Sequence, residues 1–239
     1  MHPTAVKNVK DFFRVYSQNF AACNDTKIIE IGSRDVNGSF RELCPSKFKY
    51  IGVDFCAGKN VDIILKDSYH LPFKNESIDI IISSSCLEHS EMFWITFLEA
   101  LRILKPNGLF YINTPSRGSY HRYPIDCWRF YPDSGLALIT WGKRNGFNAE
   151  LLESYTQPNG GWGDFVAIFL KDAKFLPQFN ERIIHSKTDF INGRISNRKN
   201  EILKLNIGNR AWYDFSIFFA ELLPQTVVRF IKKILNRLV

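Results

Sequence analysis

Cysteine is sparse and unpatterned in this chain: five in 239 residues, at positions 23, 44, 56, 86 and 127, with no Cys-x-x-Cys pair. An odd, scattered set argues against a disulfide framework and against zinc and fits a reducing compartment, so no metal site is expected. Long apolar runs are missing as well. No window approaches the 18 residues a membrane-spanning helix needs. The first residues, Met-His-Pro-Thr-Ala-Val-Lys, hold no apolar core followed by a cleavage site, so no secretory signal is read. A cytoplasmic protein is the expectation. Internal repeats and low-complexity tracts are absent. The body of the chain also lacks any charge excess. Residues 1–170 carry 18 Lys+Arg against 18 Asp+Glu, and the rest carry 13 against 6, so the whole net charge of +7 follows residue 170. A neutral body speaks against a general polyanion groove there.

What is present is the composition of an ordinary globular protein, 45% apolar and 23% charged. It is organised around residues 27–89. Lys27-Ile-Ile-Glu-Ile-Gly32 is a short β-branched run ending at a glycine, the pattern of a strand buried on both faces. A polar, turn-rich segment follows, Gly32-Ser33-Arg34-Asp35-Val36-Asn37-Gly38-Ser39, with Ser39 placed to cap a short helix. Tyr50-Ile-Gly-Val-Asp54 reads as a second buried strand ending in a carboxylate, 22 positions after Gly32. In doubly wound folds an acid about 20 positions past the glycine turn accepts hydrogen bonds from ribose hydroxyls. Residues 61–65 form a third strand leading to Asp67 and Ser68. A fourth, 78–83, runs into Ser84-Ser85-Cys86-Leu87-Glu88-His89. Ligands in such sheets bind outside the carboxyl ends of the strands.

These residues resemble the class I S-adenosylmethionine-dependent methyltransferases, in particular the broad Methyltransf_11-type group. The likeness rests on Glu30-Ile-Gly32, Asp54, Asp67, Leu71-Pro72-Phe73, Ser77-Ile-Asp79, Leu87-Glu88-His89 and Leu104-Lys-Pro-Asn-Gly108, and covers roughly residues 25–170. It implies S-adenosyl-L-methionine as cofactor, with S-adenosyl-L-homocysteine as product. It also implies cofactor-binding roles for Glu30, Gly32, Ser33, Arg34, Asp54, Phe55, Asp67, Ser68, Ser83 and Ser84. One departure stands out: Arg34 occupies the second glycine position of the family loop, and the next glycine is Gly38. The chain therefore resembles a subfamily whose loop reads G-S-x-D-V-N-G-S.

Elsewhere, residues 4–20 read as an amphipathic helix, and 91–104 as a helix stopped by Lys105-Pro-Asn-Gly108. Residues 109–113 follow as strand five, then a helix over 133–145 capped by Asp133. The last strands, 148–155 and 164–170, are expected to pair antiparallel. The loop from Ser116 to Asp133 concentrates His121, Asp126, Trp128 and three arginines beside strand five, and long ordered loops tend to be functional. It resembles a family loop of the form H-x-x-P-x-D-Y-W-R-F, with Cys127 in the tyrosine position. His121 is the candidate general base and Asp126 its orienting or catalytic partner; the bland alternative is a histidine pinning the loop. Arg117, Arg122, Trp128, Arg129 and Trp162 are candidate substrate contacts, with packing for Trp128 and an Asp126 ion pair for Arg129 as the structural readings. His89 is the weaker histidine, since Leu-Glu-His at this point often just starts a helix.

The expected architecture is α/β, a Rossmann-like seven-stranded and mostly parallel sheet with an antiparallel last strand and helices on both faces. A methyltransferase domain over residues 1–171 is followed by a basic, helical C-terminal extension over 172–239. In that extension Val227, Val228, Ile231, Ile234, Leu235 and Leu238 share a helical face amid basic residues. Contact with the inner membrane surface, or a homo-oligomer, is the sharper reading of it; a solvated helix is the plain one. The resemblance implies methyl transfer to a small polar or glycan-linked acceptor, with O-methylation favoured, in cell-surface polysaccharide or capsule modification. Alternatives are a nicotinamide dehydrogenase, a nucleic-acid methyltransferase and a silent cofactor-binding scaffold. The first needs Gly-x-Gly-x-x-Gly and the second an Asn/Asp-Pro-Pro-aromatic turn. The chain has neither, which argues against nucleic acid as a partner.

Overall fold

A computed structural model describes residues 2–21, 25–36, 38–198 and 201–206. The chain divides into two compact units, Met1–Lys204 and Leu205–Val239. The expected C-terminal helix lies outside the described residues, and so does the docking role read from it.

In the first unit one sheet holds eight strands: β1 (Lys27–Ile31), β2 (Lys49–Asp54), β3 (Ile63–Ile64), β4 (Ile78–Ser84), β5 (Leu104–Pro115), β6 (Glu150–Thr156), β7 (Asp164–Leu170) and β8 (Ile191–Ile195). Their order is β3-β2-β1-β4-β5-β7-β6-β8. The first five pair in parallel; β7 runs antiparallel between β5 and β6, and β8 runs antiparallel to β6. The doubly wound α/β sheet expected from the apolar runs is present.

Two expectations are corrected here. The sheet has eight strands, and the domain boundary placed at 171 falls inside the compact unit, because β8 belongs to the sheet. Its sequence, Ile-Asn-Gly-Arg-Ile, carries a glycine and a left-handed Asn192 (φ 53°), which hide the strand pattern. Smaller corrections concern ends. The second long helix begins at Phe93 because Met92 has non-helical backbone, and the third strand shrinks to two residues. Asp133 stands at the head of the third helix without capping it, its carboxylate accepting from Arg194 instead.

Four α-helices pack on the sheet: α1 (Pro3–Tyr16), α2 (Phe93–Ile103), α3 (Ser134–Arg144) and the single turn α4 (Ile183–Ser186). Alternation along each strand divides the core in two. Ile28, Ile80 and Ile82 join Phe12, Phe13 and Tyr16 of α1 on one face. Ile29, Ile31 and Ile81 join Phe97 and Leu101 of α2 and Leu138 of α3 on the other. Both faces being covered is why these strands read as unbroken apolar runs.

A buried carboxylate ties the first face together. Glu153 in β6 is fully buried. It accepts from the Tyr16 hydroxyl at 2.5 Å and from the backbone N–H groups of Ile183 and Ile184 at 2.8 and 2.9 Å. Three donors on one acceptor join α1, β6 and α4. Glu153→Gln places an amide N–H against this donor set and leaves buried donors unpaired. It is expected to lower stability by about 2–4 kcal/mol, read from urea unfolding at constant slope.

Candidate active site

The carboxyl ends of β1, β2 and β4 open into a cavity of about 550 Å³. Its shape begins at Gly32. With φ at +78°, and with room for a Cβ only at 2.6 Å from the Cys86 sulfur, no other residue fits there without movement. Because Gly32 turns so tightly, its N–H and that of Ser33 both reach the Val53 carbonyl of the neighbouring strand, at 3.0 and 3.2 Å. Asp54 then extends the same seam. One carboxylate oxygen accepts from Arg34 N–H at 3.1 Å and the other from Cys56 N–H at 2.9 Å. The acid read as a ribose partner thus also holds both cavity loops, and each of its oxygens keeps a free lone pair.

The remaining cofactor candidates divide. Glu30, Ser33, Arg34, Phe55, Ser68 and Ser84 line the cavity with Gly32 and Asp54. Asp67 does not line it: this residue is exposed, and its carboxylate accepts from Tyr69 N–H at 2.8 Å. Ser83 is fully buried and donates to the Ile31 carbonyl at 3.2 Å, tying β4 to β1. The hydroxyls of Ser33 and Ser84 are buried with no protein partner. Two unpaired hydroxyls in the wall of a strand-end cavity fit a polar ligand that supplies the missing hydrogen bonds. Glu30 takes a hydrogen bond from the Tyr50 hydroxyl, yet burial pushes its carboxyl up to about 7.

At the other end of the cavity stand His2, His89, His121, Arg122, Tyr123 and Trp162. The Trp162 ring lies 4.5 Å from His121 and 5.6 Å from His2, centroid to centroid; the two imidazoles of His89 and His121 meet edge-on at 4.9 Å. Asp126 sits beneath. It accepts from His121 N–H at 2.7 Å, lies 3.3 Å from His121 Nδ1, and is held by Arg129 through two bonds of 2.6 and 2.8 Å. The Arg129 guanidinium keeps this carboxyl well below the usual carboxylate range.

Of the loop candidates, only His121, Arg122 and Trp162 therefore reach the cavity. Asp126 and Arg129 form a staple under the loop, Arg129 also donating to the Ser119 carbonyl at 3.0 Å. Arg117 donates to the carbonyls of Pro158 and Gly160. Trp128 donates to the Ser90 carbonyl and packs on Phe93 and Trp94.

Three groups are more prominent than the sequence implied. Cys86 packs against Gly32, and burial pushes its thiol up to about 12. His89 reaches the cavity, with Nδ1 on the Ile125 carbonyl and burial lowering its pKa. Glu88 is 1% exposed, its Oε2 has no partner, and burial raises its carboxyl to about 8. The Leu87-Glu88-His89 motif was the available signal for both. His2 had none.

Residues 29–112 match the family model Methyltransf_11, a methyltransferase domain. No curated protein matches the chain. Among solved structures, a candidate sarcosine dimethylglycine methyltransferase from Galdieria sulphuraria is 13% identical, with a TM-score of 0.51 over 70% of this chain and 86% of that one. The CurJ carbon methyltransferase is 15% identical, with a TM-score of 0.50 over 70% and 55%. A S-adenosylmethionine-dependent methyltransferase from Archaeoglobus fulgidus is 20% identical, with a TM-score of 0.46 over 69% and 94%. At such identities the first two, with TM-scores of 0.50 and above, show a shared fold alone. The matched segment spans β1 to β5 up to Ile112, the strands that build the cavity. The segment that builds the cavity is thus similar to a methyltransferase domain, for which S-adenosylmethionine is the cofactor.

Because folding raises the Glu30 pKa from 4.5 to about 7, the folded state binds the extra proton between those values, and stability falls as pH rises through that window. Glu30→Gln removes this term. Relative to the parent, the change in unfolding free energy from pH 5.5 to 8.0 is expected to be more positive by about 2 kcal/mol. Parallel denaturant curves at the two pH values measure it.

Proposed function

We propose that this chain transfers a methyl group to an oxygen of a small polar or glycan-linked acceptor bound at the His89–His121–Trp162 end of the cavity. The observation that carries the reading is the division of one cavity between strand-end polar groups and an imidazole-and-indole end. When bound, the cofactor supplies an electrophilic sulfonium methyl. The residues placed to hold it are Asp54 at the ribose, and Glu30, Ser33 and Ser84 at the amino-acid end. The chain's own task is to hold the acceptor oxygen at near-attack distance and to exclude water.

A hydroxyl acceptor must also lose its proton as the new bond forms. His121 is the group we assign to that proton, either as base itself or by what its imidazole holds, with Asp126 positioning the ring. An anionic acceptor such as a phosphoramidate oxygen would instead need free guanidinium groups. All three loop arginines are engaged, Arg117 by backbone carbonyls, Arg129 by Asp126 and Arg122 through Nε by the Pro124 carbonyl at 3.1 Å, and of them only Arg122 lines the cavity. This favours the hydroxyl. The sugar hydroxyls of cell-surface or capsular polysaccharide precursors are the acceptor class that the loop resemblance implies. A base-methylating or silent domain has no comparable observation behind it.

Calorimetry is expected to show micromolar binding of S-adenosylhomocysteine, weakened in Asp54→Ala by about 1–3 kcal/mol. No heat with this ligand, alongside clear binding of a nicotinamide dinucleotide, would remove the reading. For the chemistry, His121→Ala at saturating acceptor is expected to lower turnover about 10²–10⁴-fold with cofactor affinity unchanged. A loss under about fivefold would shift the weight to anion binding by Arg122.

A further inference from the structure

At the acceptor end, Glu88, which the methyl-transfer reading leaves unused, groups with two of the histidines that the reading names. A carboxylate oxygen of Glu88 and one ring nitrogen each of His89 and His121 all lie within 4.8 Å of one another. We propose that Glu88, His89 and His121 hold a divalent first-row transition-metal ion, with its open coordination positions facing the acceptor.

The orientation of the two imidazoles is the first support. His89 Nδ1 lies on the Ile125 carbonyl, which can only accept, so the ring proton is on Nδ1 and the lone pair on Nε2. His121 Nδ1 lies 3.3 Å from an Asp126 oxygen and 3.4 Å from the Ser119 carbonyl, again acceptors, so its Nε2 is free as well. A ring N–H given to a carbonyl or carboxylate, with the other nitrogen presented outward, is how metal-binding histidines are held.

Glu88 is the independent support. This side chain is almost wholly buried, and its Oε2 has no hydrogen-bond partner. Its other oxygen stands 3.8 Å from His89 Nε2. The neighbouring cation, Arg129, is occupied by Asp126 through both carboxylate oxygens. A buried carboxylate without a partner is costly. The Asp126–Arg129 pair cancels in charge, so the Glu88 carboxyl is the acidic group left to the cluster, beside two lone pairs.

The chemistry of the set selects the ion class. Two imidazoles and one carboxylate suit zinc, iron(II) or cobalt(II) with open positions, whereas magnesium and calcium prefer all-oxygen shells. Bonds of about 2.0–2.2 Å place ligand atoms about 3.3 Å apart. The cluster therefore closes by roughly 1.5 Å on binding, a movement the part-exposed His121 side chain supplies by rotating on its loop. The sequence predicts no metal because cysteine is scarce and scattered; this set uses no thiolate, so that scarcity does not bear on it.

Use of the ion on the acceptor rests on the preceding reading, whereas its binding does not. A hydroxyl bound to such an ion is acidified. Its proton then passes to solvent, the oxygen keeps the O–H electron pair as a metal-bound alkoxide, and His121 acts as a ligand.

The test uses the full chain after dialysis against a chelator. Titration with cobalt(II) is expected to give one ion per chain with visible absorption bands of a low-coordinate site. Glu88→Gln and His121→Ala are each expected to weaken binding about 100-fold or more, and His185→Ala, outside the cluster, should leave it unchanged. Should Glu88→Gln fail to fold by circular dichroism, His121→Ala decides alone. No stoichiometric binding, or binding unaltered by the foldable cluster variants, overturns the proposal. S-adenosylhomocysteine calorimetry on the same sample keeps the two readings apart. Cofactor binding without cobalt binding removes the ion and keeps methyl transfer; cobalt binding without cofactor binding does the reverse.

Discussion

The site depends on how closely β1 and β4 approach at their carboxyl ends. Gly32 and Cys86 touch with no room for a Cβ between them, and this contact forces the chain to leave β1 in a left-handed turn. The turn aims two successive N–H groups at Val53, which fixes the loop onto β2. Asp54, the next residue along β2, then bonds backbone on both sides of the opening. A single close packing therefore sets the loop, the loop sets the carboxylate, and the carboxylate sets the cavity rim. The Arg34 departure from the glycine-rich pattern is tolerated because position 34 contributes its backbone N–H to Asp54, which any residue but proline can do.

The acceptor end is built on a different principle. Its walls come from a loop whose shape is held by polar bonds from below. The Asp126–Arg129 pair, the Arg117 bonds to the 158–160 backbone and the Trp128 bond to Ser90 all lie behind the surface that faces the cavity. This explains why most of the loop's conspicuous residues are absent from the cavity wall. Charged and aromatic side chains in a long loop must satisfy buried backbone groups before any can be spared for a ligand. His121, Arg122 and Trp162 are what remains.

That division also marks how far the sequence could be read. The parallel strands announce themselves because burial on both faces removes most polar residues away from strand ends, Glu30 excepted, and the strand ends are where ligands bind. Gly32, Asp54, Ser33 and Ser84 were legible as cavity-lining residues for that reason. β8 was not, since a five-residue edge strand with a glycine and a left-handed asparagine lacks both length and pattern. The roles of Arg117, Trp128 and Arg129 were illegible for a deeper reason. Sequence names a side chain's chemistry, while its partner is set by tertiary contacts many residues away. Asp67 illustrates the same limit at close range, its carboxylate turning to the Tyr69 amide two residues on.

Electrostatics joins the two ends. Glu30 and Glu88 are each almost wholly buried, and among the described residues neither has a lysine or arginine within salt-bridge distance. In both, burial outweighs the available hydrogen bonds and raises the carboxyl pKa toward or above neutrality. Unpaired buried carboxyls oppose folding, so Glu30 in the cavity wall and Glu88 beside His89 and His121 each call for a compensating partner. On the proposed reading, Glu30 faces the ammonium group and sulfonium of S-adenosylmethionine, which supply positive charge. Glu88 lies below two imidazoles that present lone pairs, an arrangement in which a metal cation is the complementary charge. Two buried carboxyls, one in the cavity wall and one beside its histidines, thus each lack a partner of the kind that the ligand proposed for it would supply.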